Sequence, residues 1–142
     1  MTLDELKLEV YTTLKVNDEK LDTEALKNQE LYAKYLDHKS RFELLLHKAK
    51  GDYKKLYREK WEYYGGKADP EVYKEKPLDL KILKQDVPIY LEGDEELIQS
   101  QHAVEYHKAM CDHAEKMCKM LQNRGFQIKN AIDWKRFMEG SL

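Results

Sequence analysis

The sequence predicts a mainly α-helical chain with two long helices, a short helix near each terminus and a short β-hairpin in the middle. Three observations support this fold class. Apolar residues recur at spacings of three and four over most of the 142 residues. All three prolines lie between residues 70 and 88, so helix is least expected there. A chain of this length without internal repeats suits a single chain-length unit, residues 1–142.

The first helix is expected from about residue 3 to residue 16. Thr2 and Glu5 fit the capping-box pattern, in which each side chain bonds the backbone of the other residue. The apolar residues of this helix are Leu3, Leu6, Val10 and Leu14. The polar segment VNDEKLDTE then interrupts the pattern, and Asp22 or Thr23 is suited to cap the next helix.

The second helix is expected to be long, from about Asn28 to Tyr64, because this stretch has no proline and a single glycine, Gly51. Such a helix would be roughly 55 Å long, which exceeds the width of a small globule. We therefore expect it to pack against other helices or other subunits.

The stretch that contains the prolines predicts the β-hairpin. The segments LDLKIL and VPIYL alternate apolar and polar residues, as half-buried strands do, and KQD lies between them at the turn. Pro88 has no backbone N–H, so its strand would lie at a sheet edge.

Asp94 is expected to cap the second long helix, whose first turn carries Glu95 and Glu96 at the positive end of the helix dipole. An apolar seam follows, and Gly125 is expected to end the helix. The seam residues are Ala103, Tyr106, Met110, Ala114, Met117 and Leu121. The last segment, GFQIKNAIDWKRFMEG, predicts a separate short amphipathic helix whose wide apolar face must dock against another surface.

Charge is unevenly distributed along the chain. The formal net charge of −2 argues against a general polyanion binder, yet residues 48–84 hold 11 Lys and Arg against 7 Asp and Glu. The start of the chain has no signal-peptide pattern, and no apolar run approaches the roughly 18 to 20 residues of a membrane span. These features predict a cytosolic protein with a basic middle and no membrane partner.

Residues 53–69, YKKLYREKWEYYGGKAD, combine five aromatic and five basic residues. On a helix, Lys60 would lie within an apolar and aromatic stripe, which is costly unless its ammonium group reaches water or an anion. Rings that stack on bases, beside cations that meet phosphates, are typical of sequence-tolerant binding to single-stranded nucleic acid. The alternative is that the tyrosines are interface packing and the lysines a solvated flank.

Signatures of catalysis are missing. The sequence has no glycine-rich phosphate loop, nucleophile elbow or paired-cysteine zinc spacing, so we expect no enzyme activity and no cofactor. His107 and Cys111, with His113 nearby, are best placed to share a metal ion, but Cys118 lies about 10 Å along the helix axis from Cys111. We favour ordinary packing for these residues over a small metal-binding sensor, which would contain stoichiometric zinc.

Four blocks of the sequence resemble the UvsY family of recombination mediators from T-even-type phages and cyanophages. The blocks are LDELKLEV, NQELYAKYL, the basic and aromatic motif that ends in EYYGG, and NRGFQIKNAIDWKRFMEG. The family motif reads Lys-Ala-Arg-Leu-Asp-Tyr-Tyr, a small residue and Gly. In REKWEYYGG, Arg58 and Lys60 fall on the two basic positions with Arg and Lys exchanged, and Trp61 replaces an aliphatic residue. The remaining matches are Tyr63, Tyr64 and Gly66.

The resemblance implies a non-enzymatic accessory factor in homologous recombination, repair and recombination-dependent replication. Such a factor binds single-stranded DNA and helps a phage RecA-like recombinase of the UvsX type assemble on strands coated by the phage single-stranded-DNA-binding protein. The resemblance also implies a ring-shaped homo-oligomer of six or seven subunits, in the cytoplasm of the infected bacterial host. A non-enzymatic helical adaptor that docks an acidic protein partner is the alternative, and it predicts no affinity for oligo-dT.

Taken together, the motif and the resemblance divide the chain into two functional parts. Residues 1–93 are expected to bind DNA, and residues 94–142 are expected to form a helical oligomerisation part. The expected DNA-binding residues are Lys54, Lys55, Arg58, Lys60, Trp61, Tyr63, Tyr64 and Lys67. The expected oligomerisation residues are Met110, Met117, Leu121, Phe126, Ile128, Ile132, Trp134 and Phe137.

Overall fold

The computed structural model describes residues 1–140, and every regular element in that range is helical. The helices are α1 (Leu3–Thr13), α2 (Leu21–Tyr64), α3 (Pro70–Glu75), α4 (Val87–Glu92) and α5 (Glu95–Met138), with 3₁₀ turns at Asp18–Lys20 and Lys84–Asp86. None of the helices in this range is long and apolar enough to cross a membrane. The expectation of a mainly helical chain with two long helices is confirmed.

The chain divides into two compact units. One, here called the terminal unit, combines Met1–Glu43 with the chain from Lys108 onward, and the other, the central unit, is Leu44–His107. The predicted boundary at residue 93 differs from this division, because each long helix contributes residues to both units.

The terminal unit begins with the predicted capping box. The Thr2 hydroxyl accepts from Glu5 N at 3.1 Å, and the Glu5 carboxylate accepts from Thr2 N at 2.8 Å. The largest buried side chains of this unit are Leu6, Tyr35, Met117, Leu121 and Ile128. They come from α1, α2 and α5, so the core of this unit is helix against helix.

A buried arginine joins the elements of the terminal unit. Arg124 of α5 is 3 % exposed, forms an ion pair with Glu24, and donates to Asn28 Oδ1 at 3.0 Å and to the Lys15 carbonyl at 3.2 Å. Asn28 in turn donates to the Leu121 carbonyl at 2.8 Å. These bonds satisfy polar groups that would otherwise be buried unpaired at the start of α2.

In the central unit, the two adjacent glycines end α2. Gly66 has φ +75°, a conformation that glycine adopts without a Cβ penalty. Gly66 N donates to the Tyr63 carbonyl at 3.2 Å, and Lys67 N donates to the Glu62 carbonyl at 2.8 Å. This pair of bonds is a Schellman motif, which explains why the sequence EYYGG stops the helix.

The predicted β-hairpin is wrong. The segment VPIYL is helix α4, with Pro88 in its first turn, where a missing N–H costs nothing. The alternation of Val87, Ile89 and Leu91 misled the prediction because Val87 and Leu91 are also four residues apart. On one helical face those two are buried with Leu97, while Ile89 is 67 % exposed.

The expected end of α5 at Gly125, and with it a separate C-terminal helix, is also wrong, because α5 continues to Met138. A Cβ at Gly125 would lie 3.2 Å from Asn28 Nδ2, so this glycine allows a close approach rather than a helix end.

The other helix ends differ from the expected ones by a few residues. α2 begins at Leu21, ahead of the expected start, which places Asp22 and Thr23 inside its first turn. α1 ends at Thr13, three residues early.

Candidate nucleic-acid interface

The exposed side of the second half of α2 carries cations and rings at helical spacing. Lys50, Lys54, Arg58 and Trp61 follow one another at intervals of four, four and three residues, and all four are exposed. Trp61 is 41 % exposed, and Lys67 Nζ lies 4.8 Å from the centroid of its ring. The indole face therefore lies beside a positive charge, in the arrangement of a cation–π pair.

The cations of this side have few competing partners. Across residues 1–140, neither Lys54 nor Lys55 takes part in an ion pair. Arg58 Nε lies 3.2 Å from Glu62 Oε1, but the arginine side chain is 82 % exposed. An exposed pair of this kind contributes little, so a phosphate can compete for the guanidinium.

Lys60 has a different environment from the other predicted cations. Its side chain is only 14 % exposed, and its Nζ lies 3.3 Å from Asp94 Oδ2 and 3.4 Å from Glu96 Oε2. Glu96 also accepts from Lys76 Nζ at 2.8 Å. Of the two expected partners for the Lys60 ammonium group, water or an anion, the chain itself thus supplies the anion.

Asp94 is the centre of this polar cluster. Its Oδ1 accepts from Leu97 N at 3.0 Å, which confirms the predicted cap of α5, and its Oδ2 accepts from the Tyr64 hydroxyl at 2.5 Å. Burial acts to raise the pKa of Asp94, but the bonds from Tyr64 and Leu97 and the charge of Lys60 outweigh it, so this pKa lies below its ordinary value. Burial, together with the bond to the Asp94 carboxylate, raises the pKa of Tyr64.

The predicted tyrosine pair is packed against other rings of the central unit. The ring of Tyr63 stacks on that of Tyr73 with centroids 5.4 Å apart, and its hydroxyl donates to the Lys76 carbonyl at 3.0 Å. The ring of Tyr64 lies 5.9 Å from that of Tyr90. Both members of the pair are half-buried, whereas Tyr57 is 43 % exposed. The predicted site does not include Tyr57, although its spacing of four residues from Trp61 places both rings on one side of the helix.

The predicted oligomerisation residues differ in how far the structure buries them. Four are buried in the core of the terminal unit, namely Met110, Met117, Leu121 and Ile128. Ile132 is half-buried. Phe126, Trp134 and Phe137 are exposed, and the rings of Trp134 and Phe137 stack with centroids 5.8 Å apart. The exposed group therefore leaves apolar surface accessible on this chain.

The residues considered for metal binding lie apart from any ligand cluster. No group of three or more His, Cys, Asp and Glu side chains within the described 140 residues is arranged to hold a metal ion. Cys111 and Cys118 are buried free thiols, and burial raises the pKa of each. Burial, with the nearby charges of Lys7 and Lys116, lowers the pKa of His113.

Comparison with known proteins connects these features to a family. The profile of the family described as "Recombination, repair and ssDNA binding protein UvsY" matches residues 9–141. The recombination protein uvsY of Enterobacteria phage T4 is 24 % identical over 140 residues, which is 99 % of each chain.

Solved structures of the T4 recombination mediator protein UvsY share the fold. The crystal structure in lattice type II has a TM-score of 0.86 with 22 % identity and covers 98 % of each chain. The crystal structure in lattice type I has a TM-score of 0.84 with 22 % identity, and the match covers 94 % of this chain and 98 % of that chain. Because the family profile spans nearly its whole length, the chain belongs to the UvsY family of recombination, repair and single-stranded-DNA-binding proteins.

Proposed function

We propose that this chain, a recombination mediator by family, binds single-stranded DNA and helps a phage RecA-like recombinase load onto strands coated by the phage single-stranded-DNA-binding protein. The observation that carries the proposal is the exposed, largely unpaired row of cations around Trp61 on α2. Its exposed members within the predicted set are Lys54, Lys55, Arg58, Trp61 and Lys67.

The chemistry of this row suits a single strand. Ammonium and guanidinium groups meet phosphates without reading sequence, and an exposed indole stacks on any base. A duplex hides its base faces in the stack, so the aromatic contribution favours unpaired DNA. We therefore expect binding with low sequence preference and a steep dependence on salt.

The proposed assembly is a homo-oligomeric ring of six or seven subunits. The exposed apolar face at the end of α5 supports association, because a monomer gains nothing from leaving Phe126, Trp134 and Phe137 in water. A closed ring repeats the basic middle of each chain, so subunits with a net charge of −2 would together build a strongly positive surface. We expect this assembly to act in the cytoplasm of the infected host.

Loading then requires no chemical step. Several copies of the α2 site would hold one strand in a bent or wrapped form. If the coat protein binds that form less well and the recombinase binds it better, the difference in affinity alone moves the strand from one protein to the other.

The test is fluorescence anisotropy of labelled oligo-dT at low and moderate salt, with oligomer size measured for each variant. Arg58→Ala should weaken binding about tenfold, because it removes a phosphate contact from every subunit. Arg41→Ala is the matched control, since Arg41 is also exposed on α2 and paired with a residue four positions away, Asp37. Absence of binding by an intact wild-type oligomer would overturn the proposal and favour a protein-docking adaptor.

A further inference from the structure

The cations and rings of α2 define a continuous surface that is longer than the family motif. At 100° per residue, five exposed side chains fall within an arc of about 100° and extend roughly 16 Å along the axis. These side chains, here called the α2 face, are Lys50, Lys54, Tyr57, Arg58 and Trp61. Lys50 and Tyr57 belong to this face although the motif contains neither.

Both added residues are available to a ligand. Within the described part of the chain, Lys50 takes part in no ion pair. Tyr57 is 43 % exposed, and its ring lies beside that of Tyr53, tilted and with centroids 6.1 Å apart, so part of the ring is accessible to a ligand. Lys50 can therefore extend the row of phosphate contacts by one turn, and Tyr57 can supply a second stacking ring beside Trp61.

The second basic residue of the motif points elsewhere. Arg58 and Lys60 are two residues apart, so they project about 200° apart around the helix. Lys60 lines a cavity of about 200 Å³ whose other charged groups are Glu59, Glu75, Lys76 and Glu96. Three carboxylates against two ammonium groups make this cavity unfavourable for a phosphate. At 100° per residue, Lys60 projects about 60° beyond Tyr57, at the edge of the α2 face. Its side chain is only 14 % exposed and its ammonium group is paired with Asp94 and Glu96, so we do not expect a strand on the α2 face to contact it.

We propose that single-stranded DNA runs along the α2 face, with Lys50 and Tyr57 as direct contacts, and that Lys60 is a positioning residue. Lys60 holds the end of α2 to Asp94 and Glu96 at the start of α5, which fixes the direction of Arg58 and Trp61. The proposal rests on the proposed function and refines the site at which it occurs.

The experiment compares oligo-dT affinity and its salt slope among variants of the full chain. Lys50→Ala should weaken binding several-fold. It should also reduce the salt slope, which is the slope of log affinity against log salt concentration, by about one for each subunit that contacts the strand. Lys27→Ala is its control, because Lys27 is exposed on α2, outside the face and without an ion pair among the described residues. Tyr57→Leu should weaken binding about tenfold, and Tyr57→Phe, which keeps the ring, should restore it.

Lys60→Met separates a contact from a positioning role. It keeps the aliphatic stem, so we expect a lower unfolding midpoint and weaker binding but an unchanged salt slope. A slope reduced as in Lys50→Ala would overturn the positioning role. If Lys60→Met does not fold, the variants of Lys50 and Tyr57 still decide whether DNA uses the α2 face. Wild-type binding that is lost in Arg58→Ala but unaffected in Lys50→Ala and Tyr57→Leu would overturn this inference and leave the proposed function standing.

Discussion

The Tyr64 hydroxyl donates a 2.5 Å hydrogen bond to Asp94 Oδ2 and so connects the last residue of α2 to the cap of α5. Asp94 is buried, and Lys60 is paired with the same oxygen. A buried carboxylate that loses a donor keeps its desolvation cost, so this bond should contribute more than an exposed one.

Tyr64→Phe should therefore reduce the free energy of unfolding by about 1.5 to 3 kcal/mol, the usual value of a hydrogen bond to a charged group. Urea unfolding at fixed protein concentration measures the loss. Tyr57→Phe is the control, because the Tyr57 side chain is exposed and its hydroxyl makes no hydrogen bond within residues 1–140. Equal stability of the two variants would contradict the role of this bond.

The same cluster predicts a dependence of stability on pH. The pKa of Asp94 is lower in the folded chain than its ordinary value of 3.8, so the unfolded chain binds a proton more readily. The contribution of Asp94 is thus fully present above pH 3.8 and is lost as the pH falls through the folded pKa.

Asp94→Asn keeps a side chain that can cap α5 and removes the titrating group. The difference in unfolding free energy between wild type and this variant should be constant above about pH 5 and shrink as the pH is lowered toward 2. Urea unfolding at a series of pH values measures it. A difference that does not change with pH would show that Asp94 has no lowered pKa.

Two glycines inside helices should respond oppositely to alanine. A Cβ at Gly51 meets nothing within 4 Å, so Gly51→Ala should stabilise the chain by about 0.5 to 1 kcal/mol. At Gly125 the Cβ would meet Asn28, whose side chain is fixed by bonds to Leu121 and Arg124 and cannot move without losing them. Gly125→Ala should therefore destabilise the chain. The midpoint of thermal unfolding, measured for both variants, tests these two predictions. A higher midpoint for Gly125→Ala would contradict the close approach of Gly125 to Asn28.

Removing one partner of the buried ion pair in the terminal unit should strongly reduce the free energy of unfolding. Arg124→Ala leaves Glu24 buried without its partner and should destabilise the chain by about 3 to 5 kcal/mol. Adding Glu24→Gln removes the unpaired charge and should recover part of the loss, so a double-mutant cycle isolates the pair. Arg41→Ala, at an exposed pair, should change stability by less than about 1 kcal/mol.

Oligomer size tests the exposed apolar end of α5. Trp134→Ser with Phe137→Ser should reduce the molar mass measured by light scattering, while the helical circular dichroism per residue stays the same. Leu26→Ser is the control, since Leu26 is a similarly exposed apolar residue on α2. An unchanged molar mass would show that subunits associate elsewhere.

The sequence could predict α1 and the two long helices, but not α3, α4 or the point at which each helix ends. Helical spacing and the caps at Thr2 and Asp94 depend on local chemistry, and they were predicted correctly. Gly125 lies inside α5 and allows a close approach to Asn28, which is 97 residues away in the chain. A local sequence pattern contains no information about that contact. The hairpin failed because a short apolar alternation fits a strand and a one-and-a-half-turn helix equally well.

Part of the candidate site could also be predicted. Sequence spacing indicates that the Lys60 ammonium group needs water or an anion, but only the fold shows that Asp94 and Glu96 supply the anion. The tyrosine pair was expected to be a stacking surface, yet its rings contact Tyr73 and Tyr90, which follow it in the chain. Which rings remain open therefore depends on a segment whose structure the sequence mispredicted.

Photo-cross-linking tests the central claim most directly, because it reports which residues contact the strand. The wild-type oligomer would be irradiated with halogenated oligo-dT, and the modified peptides would be identified by mass spectrometry. The account predicts cross-links at Trp61 and Tyr57 that disappear at high salt together with binding. Cross-links confined to Tyr63, Tyr64 or residues outside 50–67 would contradict it.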